Sequence, residues 1–416
     1  MFFSSIFGAP LIFKIKNKFG SNKNSTGGLN RVVSSLSCPS FSGEEKVEII
    51  TKIKKVLEED REGILKFLGV EIKKPMTEGD KELTSTLDLL EKSRELAFIK
   101  SDGKHYPVLG ILSFDTPLLS MIKVFLLGFL LERPVVLKPS SWTFSFSEYI
   151  LKLVSSILGD RYIAILDIPG KDLEEEVSSE DFPFVYIEGL YSTVKSFSTS
   201  YRGNLFCEYN RGGVAVVAEG ADVDQVVSEV ISAAFSYNGQ YCCAFKGVVV
   251  PEKFFEAFSK KIVDRTEKFY CPGDPLDPAT TATPLVDNTD VWYAYAQISD
   301  AIAEGAELLF GGEHPEENKP LIPSVIAKLR PNSKLVNEDY RIPYMWIVPY
   351  QHHPDDFISQ IFKEKRIIIY GEEKTLAGRL RAVKSWEVLE RNSIPGILCF
   401  EGGNPYEWLK RGIAVA

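Results

Sequence analysis

The sequence predicts an α/β protein built from two doubly wound parallel sheets, and three observations carry that expectation. Short apolar strands alternate with helical periods from about residue 107 to residue 187, and the same alternation starts again after residue 209. The composition is that of an ordinary globular chain, with 44% hydrophobic and 25% charged residues over 416 positions, enough for two or more domains.

The elements follow in order. Residues 44–68 carry a helical period, with Val47, Ile50, Ile53, Val56 and Leu57 on one face, and a second helix is expected over 81–96. The pattern then changes. A strand over 107–113 precedes a helix over 118–131, a strand over 134–138 precedes a helix ending near 158, and two further strands cover 162–168 and 184–187. In sheets of this kind ligands lie beyond the carboxyl ends of the strands. No GxGxxG fingerprint opens the sheet. The second unit begins with a strand over 214–218 and a helix over 222–237 whose Val223, Val226, Val227, Val230, Ile231 and Ala234 share a face. A turn carrying Cys242 leads into a strand over 245–250, so that residue sits between two rigid elements. The expected domains are 1–208 for the amino-terminal helices and a Rossmann-like cofactor-binding sheet, 209–385 for a catalytic domain, and 386–416 for a segment returning to the first domain.

Charge and cysteine usage exclude several classes. The net charge of −9 is spread through the chain, with no basic face for nucleic acid. The six cysteines at 38, 207, 242, 243, 271 and 399 show neither metal-ligand spacing nor a disulfide framework, and the vicinal pair suits a reducing compartment. Near the amino terminus Lys14, Lys16 and Lys18 follow the apolar stretch instead of preceding it, the reverse of a signal peptide. The apolar run 124–131 is too short to cross a bilayer. These features predict a soluble, cytoplasmic protein with no membrane or nucleic-acid partner.

The chemistry is written in Asn238-Gly239-Gln240-Tyr241-Cys242-Cys243, together with Glu208, 34 residues before Cys242. Alone, either residue is bland: a cysteine is usually a small buried hydrophobe, and a strand-end glutamate a solvated one. Together at this spacing they resemble the aldehyde dehydrogenase superfamily, whose nucleophilic cysteine lies two residues after the Gln and whose general base lies 34 residues earlier. The likeness runs on in order through Val136-Leu137-Lys138-Pro139-Ser140, Asp222-Val223-Asp224, Gly273-Asp274-Pro275, Thr283-Pro284, Gly311-Gly312 and Pro323-Ser324-Val325. Each piece is weak punctuation by itself, and the shared order makes the case.

The resemblance implies a reaction. The Cys242 thiolate attacks an aldehyde, the adduct gives up a hydride to a nicotinamide, and water activated by Glu208 hydrolyses the resulting thioester. It also implies cofactor contacts. Lys138 would bind the adenosine ribose or a 2′-phosphate, with Ser140 and Ser141 beside it. Gly189 and Leu190 would stand at a helix N-terminus facing the pyrophosphate. Phe114 would line the cofactor site, and Asp339 would hold the nicotinamide ribose. NAD-preferring members often carry a Glu at the position of Ser141, so NADP or NAD is the expected cofactor.

Departures accompany the matches. The family's oxyanion-donating Asn is Asp115 here, at the family spacing of 23 from Lys138. An ionised carboxylate accepts but does not donate; kept protonated, it would still donate. The usual Ser after Gly189 is Leu190, and the nicotinamide-ribose clamp reads Glu338-Asp339-Tyr340-Arg341-Ile342-Pro343. The span 98–107 is too short for the family's oligomerisation hairpin, which implies a monomer or homodimer in place of a tetramer. Two alternatives stay open: a degenerate nucleotide-binding homologue of little activity, and an acylating enzyme linked to CoA or phosphate. Members of the latter kind generally dispense with the base, so Glu208 counts against it.

Overall fold

The computed structural model describes residues 11–14 and 27–371, apart from 38, 102, 104–105, 160–161, 178–179, 210–211, 290, 314, 317, 339 and 362–365, together with 388–390, 409–410 and 413. The chain divides into two compact units. The first takes Met1–Ile72, Gly79–Tyr209 and Gly402–Ala416, the second Lys73–Glu78 and Asn210–Glu401.

The first unit opens with β1 (Leu11–Lys14) and α1 (Gly27–Ser35). Next come α2 (Gly43–Glu59), α3 (Arg61–Ile72) and α4 (Met76–Ser93). The helix expected over 44–68 is therefore two helices, α2 and α3. Asp60 ends α2 with a φ of −96° and a ψ of 20°. Ser42 and Glu45 form a capping box at the start of α2, satisfying donors that the first turn leaves open. The buried stripe of α2 is Lys46, Ile50, Ile53 and Leu57, whereas Val47 and Val56 are half-buried. Lys46 enters that stripe because its ammonium reaches the Leu130 carbonyl at 3.2 Å and Glu132 at 2.8 Å.

The alternating portion runs β2 (Val108–Ile111), α5 (Pro117–Leu130), β3 (Val135–Lys138), α6 (Phe144–Leu158), β4 (Ile163–Asp167), α7 (Gly170–Glu176), β5 (Phe184–Gly189), α8 (Tyr191–Ser200) and β6 (Asn204–Tyr209). The sheet has the order β1-β4-β3-β2-β5-β6, and every pair is parallel. Its strands read as apolar runs because a parallel sheet is covered on both faces. Leu109, Val136, Ala164, Leu166, Val185 and Ile187 pack against Val194 and Phe197 of α8 on one of them. Every residue of α5 is buried, Lys123 included. Pro117 starts that helix, and the Glu82 carboxylate accepts the Leu118 and Leu119 N–H groups at 2.8 and 3.1 Å, which suits the positive end of the helix dipole.

The second unit contains β7 (Gly213–Val217), α9 (Val223–Phe235), β8 (Phe245–Pro251), α10 (Glu252–Phe269), α11 (Val291–Ala303), β9 (Glu307–Phe310), β10 (Ser324–Ala327), α12 (Lys334–Asn337), β11 (Tyr344–Tyr350), α13 (Asp355–Ile358), β12 (Arg366–Tyr370) and β13 (Val388–Glu390). Its sheet has the order β13-β12-β7-β8-β11-β10-β9, with β9 antiparallel to β10 and the other pairs parallel. Successive strand residues feed opposite cores. Val214, Val216, Ile326 and Trp346 pack with α11, while Ala215, Val217, Val325 and Ile347 pack with α9 and α10. Asp222 caps α9 by accepting the Asp224 and Gln225 N–H groups. Among the described residues no helix is long and apolar enough to cross a membrane.

Candidate active site

Within the second unit the residues around Cys242 form a pinned turn between α9 and β8. Tyr237, Asn238 and Gly239 all adopt left-handed backbone, with φ of 50°, 55° and 67°. Two of them carry side chains, so tertiary bonds must hold what the local chain disfavours. Asn238 Nδ2 donates to Thr283 Oγ1 at 2.9 Å and its Oδ1 accepts the Thr283 N–H at 3.1 Å. Gln240 Oε1 accepts the Val286 N–H at 3.1 Å, and its Nε2 donates to the Tyr237 carbonyl at 3.2 Å. The buried Lys246 donates to the carbonyls of Gly239 and Ile342, each at 3.0 Å. Beneath the turn, the Lys74 ammonium lies 5.1 Å from the ring centroids of both Tyr237 and Tyr241, and the Tyr241 hydroxyl donates to Glu78. The outcome is a division of labour between adjacent thiols: Cys242 keeps partial exposure and Cys243 is buried. Asn238 and Gln240 hold this turn through their own side chains.

Within the first unit a polar cluster sits where β5 and β6 approach their carboxyl ends. Glu188 and Glu208 pair directly in the parallel register, so their side chains share a face, and Tyr186, two residues before Glu188, shares it too. Glu208 Oε2 lies 2.7 Å from the Lys123 ammonium of α5 and accepts from the Tyr186 hydroxyl at 2.6 Å. The same hydroxyl is 2.6 Å from Glu188 Oε2, and Glu188 Oε1 accepts the Ser113 N–H at 2.9 Å. Burial pushes the Glu188 carboxyl up to about 7; Asp115 and Glu208 add to the rise and Lys123 opposes it. Burial, then the two neighbouring glutamates, lifts the Tyr186 phenol well above its usual range. Phe114 and Asp115 are buried in the loop between β2 and α5, at 6% and 1% exposure.

The other expected contacts lie at the carboxyl ends of the same sheet. Lys138 closes β3, half-buried; burial lowers its pKa, and Asp167 at the end of β4 pulls it back. Ser140 uses its hydroxyl locally, accepting the Trp142 N–H at 3.3 Å, and Ser141 is exposed. Gly189 ends β5, and Leu190 precedes α8 without a capping side chain. An anion is a suitable partner for such a helix N-terminus. These residues therefore fit a dinucleotide. Asp339 lies outside the described residues.

Lys123, Tyr186 and Glu188 were not singled out from the sequence. One signal was available: Lys123 is the sole charged residue of an otherwise apolar helix, Pro117–Leu130. The other two become functional neighbours only through strand register.

Two α/β units, one bearing a pinned turn with a partly exposed cysteine and the other a pair of glutamates near its strand ends, define the class of fold. Residues 37–360 match the model of the aldehyde dehydrogenase family, and the chain belongs to that family. It is 27% identical over 199 residues to lactaldehyde dehydrogenase of Methanococcus vannielii, covering 46% of this chain and 42% of that protein. The lactaldehyde dehydrogenase of Methanococcus maripaludis is 23% identical over 312 residues, 69% of this chain and 65% of the relative. The chain thus covers less than two thirds of the length of either relative. Its fold is similar to that of NADP-dependent glyceraldehyde-3-phosphate dehydrogenase from Bacillus halodurans, with a TM-score of 0.79 at 19% identity, over 88% of this chain and 83% of the other.

Two stability outcomes follow from this geometry. An added Cβ at Gly239 would stand 2.6 Å from the Ile342 carbonyl oxygen, at a φ that already disfavours side chains. Gly239→Ala is expected to destabilise the protein by about 2 kcal/mol or more, measured by urea unfolding. Glu188 holds its proton in the fold up to about 7, against an ordinary value of 4.5. Its contribution is therefore fully present below the unfolded value and is lost as pH rises through about 7, a change on the order of 3 kcal/mol. Glu188→Gln has no such proton to lose. Unfolding free energies at about pH 5 and about pH 8.5 are expected to fall more steeply for the wild type than for the variant.

Proposed function

We propose that the protein oxidises an aldehyde to a carboxylic acid, with Cys242 as nucleophile, Glu208 as general base and NADP or NAD as cofactor. The observation that carries this reading is the pinned turn, which leaves the Cys242 thiol partly exposed while burying its neighbour. The thiolate forms a bond to the aldehyde carbon, and the carbonyl oxygen becomes an oxyanion. When bound, the nicotinamide cofactor supplies the hydride acceptor. Glu208 takes a proton from water, the hydroxide adds to the Cys242 thioester, and the acid leaves.

Lys138 and the N-terminus of α8 would hold the dinucleotide, with Phe114, Ser140 and Ser141 contributing, and the resemblance gives Asp339 the nicotinamide ribose. Ser141 presents no carboxylate against a 2′-phosphate, and Lys138 offers it a positive charge. By the resemblance Asp115 stands where the family has an amide donor to the oxyanion; ionised it would slow the reaction, and protonated it would still donate.

Cys242→Ala is expected to abolish reduced-nicotinamide formation across an aldehyde panel and to remove thiol-alkylator labelling at that site, with Cys243→Ala leaving both largely intact. Glu208→Gln is expected to give a burst of reduced cofactor and then stall. Unchanged steady-state turnover in Glu208→Gln would instead favour thioester transfer to CoA. Cofactor titration is expected to show NADP binding at least comparably to NAD. Tighter binding of NAD by tenfold, about 1.4 kcal/mol, would refute that preference.

A further inference from the structure

The Tyr186 hydroxyl has two carboxyl partners and one hydrogen. It lies 2.6 Å from Glu188 Oε2 and 2.6 Å from Glu208 Oε2, so it donates to one of them, and the other contact needs a hydrogen from the carboxyl side. Lys123 decides which. Its ammonium, 2.7 Å from Glu208 Oε2, stabilises the anion there. Glu188 Oε1 accepts the Ser113 N–H at 2.9 Å, and Oε2 faces the phenol, where a carboxyl hydrogen would complete the contact once the phenol donates to Glu208. The in-register pairing of Glu188 with Glu208 reinforces this, because two ionised carboxylates directly opposite one another repel. A chain results: the Glu188 carboxyl donates to Tyr186, and Tyr186 donates to the Glu208 carboxylate.

We propose that Glu188 is the proton outlet of Glu208, the two carboxyls sharing one proton through the Tyr186 hydroxyl. The proposal rests on Glu208 being the base that hydrolyses the thioester. The steps balance. Glu188, which keeps part of its surface exposed, releases its proton to solvent. Glu208 takes a proton from water as the hydroxide adds to the thioester carbon. That proton passes to the Tyr186 oxygen while the phenol hydrogen passes to Glu188 Oε2, and the resting chain is restored. One water O–H bond breaks, one proton reaches solvent, and no electrons change hands. Glu188 and Tyr186 act through Glu208 and are positioning residues.

The groups acting on Glu188 come from several elements: Tyr186 on its own strand, Glu208 on β6, Lys123 on α5 and Asp115 in the loop before α5. Together with burial they set its proton affinity near neutrality, so the outlet opens as pH rises through about 7.

The test has one arm without turnover and one with it. Infrared spectra of the whole protein near neutral pH are expected to show a carboxylic-acid carbonyl band that Glu188→Gln removes and Asp115→Asn retains. A band that survives Glu188→Gln overturns the assignment of the proton. In single-turnover thioester hydrolysis, the wild-type rate is expected to rise with pH through neutrality. Glu188→Gln and Tyr186→Phe are expected to lose that limb and to slow hydrolysis by roughly tenfold or more, with the acylation burst kept. Wild-type-like hydrolysis and pH dependence in Tyr186→Phe overturns the relay. If Glu208→Gln hydrolyses thioester normally while the infrared band behaves as expected, the base reading fails and takes the outlet role with it. The shared proton would still stand.

Discussion

The Lys123 ammonium stands beside two neighbouring glutamates, Glu188 and Glu208, and the arrangement around β5 and β6 follows from that charge imbalance. Glu188 and Glu208 are side by side in the register, and Lys123 reaches Glu208 from α5. Desolvating an ion pair is costly, and removing one partner leaves an uncompensated buried charge. The pair is retained with hydrogen bonds to its remaining valences: the Tyr186 hydroxyl lies 2.6 Å from both Glu208 Oε2 and Glu188 Oε2. A carboxylate held this way is fixed in direction.

The second unit solves a different problem, that of presenting a thiol from an otherwise unfavourable backbone. Consecutive left-handed residues before Gln240 turn the chain sharply between α9 and β8. Asn238 and Gln240 tie the turn to the 283–286 segment, and Lys246 spans the carbonyls of Gly239 and Ile342. Lys73 and Lys74 join this unit for the same reason. The Lys73 carbonyl accepts from Thr283 Oγ1 at 2.6 Å, and Lys74 lies against Tyr237 and Tyr241. A side chain supported from several directions is held on rigid elements.

Both units use glutamates and lysines as structural parts. Glu82 closes the N-terminus of α5, and Glu71 does the same for α6 by accepting the Ser145 and Phe146 N–H groups at 3.0 and 2.8 Å. Lys46 and Lys246 satisfy carbonyls. In a chain with 25% charged residues, position alone therefore does not separate a catalytic carboxylate from a helix cap.

The strand–helix alternation was legible in the sequence because period and apolarity are local properties, and parallel strands covered on both faces read as short apolar runs. Val135–Lys138 and Phe245–Pro251 show this plainly. The Cys242 segment and Glu208 stood out differently, through a spacing that resembles the family's. The break at Asp60 was hidden, since a single cap residue does not disturb the helical period on either side. β6 was hidden too: Asn204, Cys207 and Glu208 interrupt its apolar pattern. Tertiary structure alone decided that Tyr186, Glu188, Glu208 and Lys123 meet. Strand register and the facing of a helix onto a sheet relate residues 22 and 85 positions apart, and no local pattern along the chain encodes which carboxyl lies opposite which.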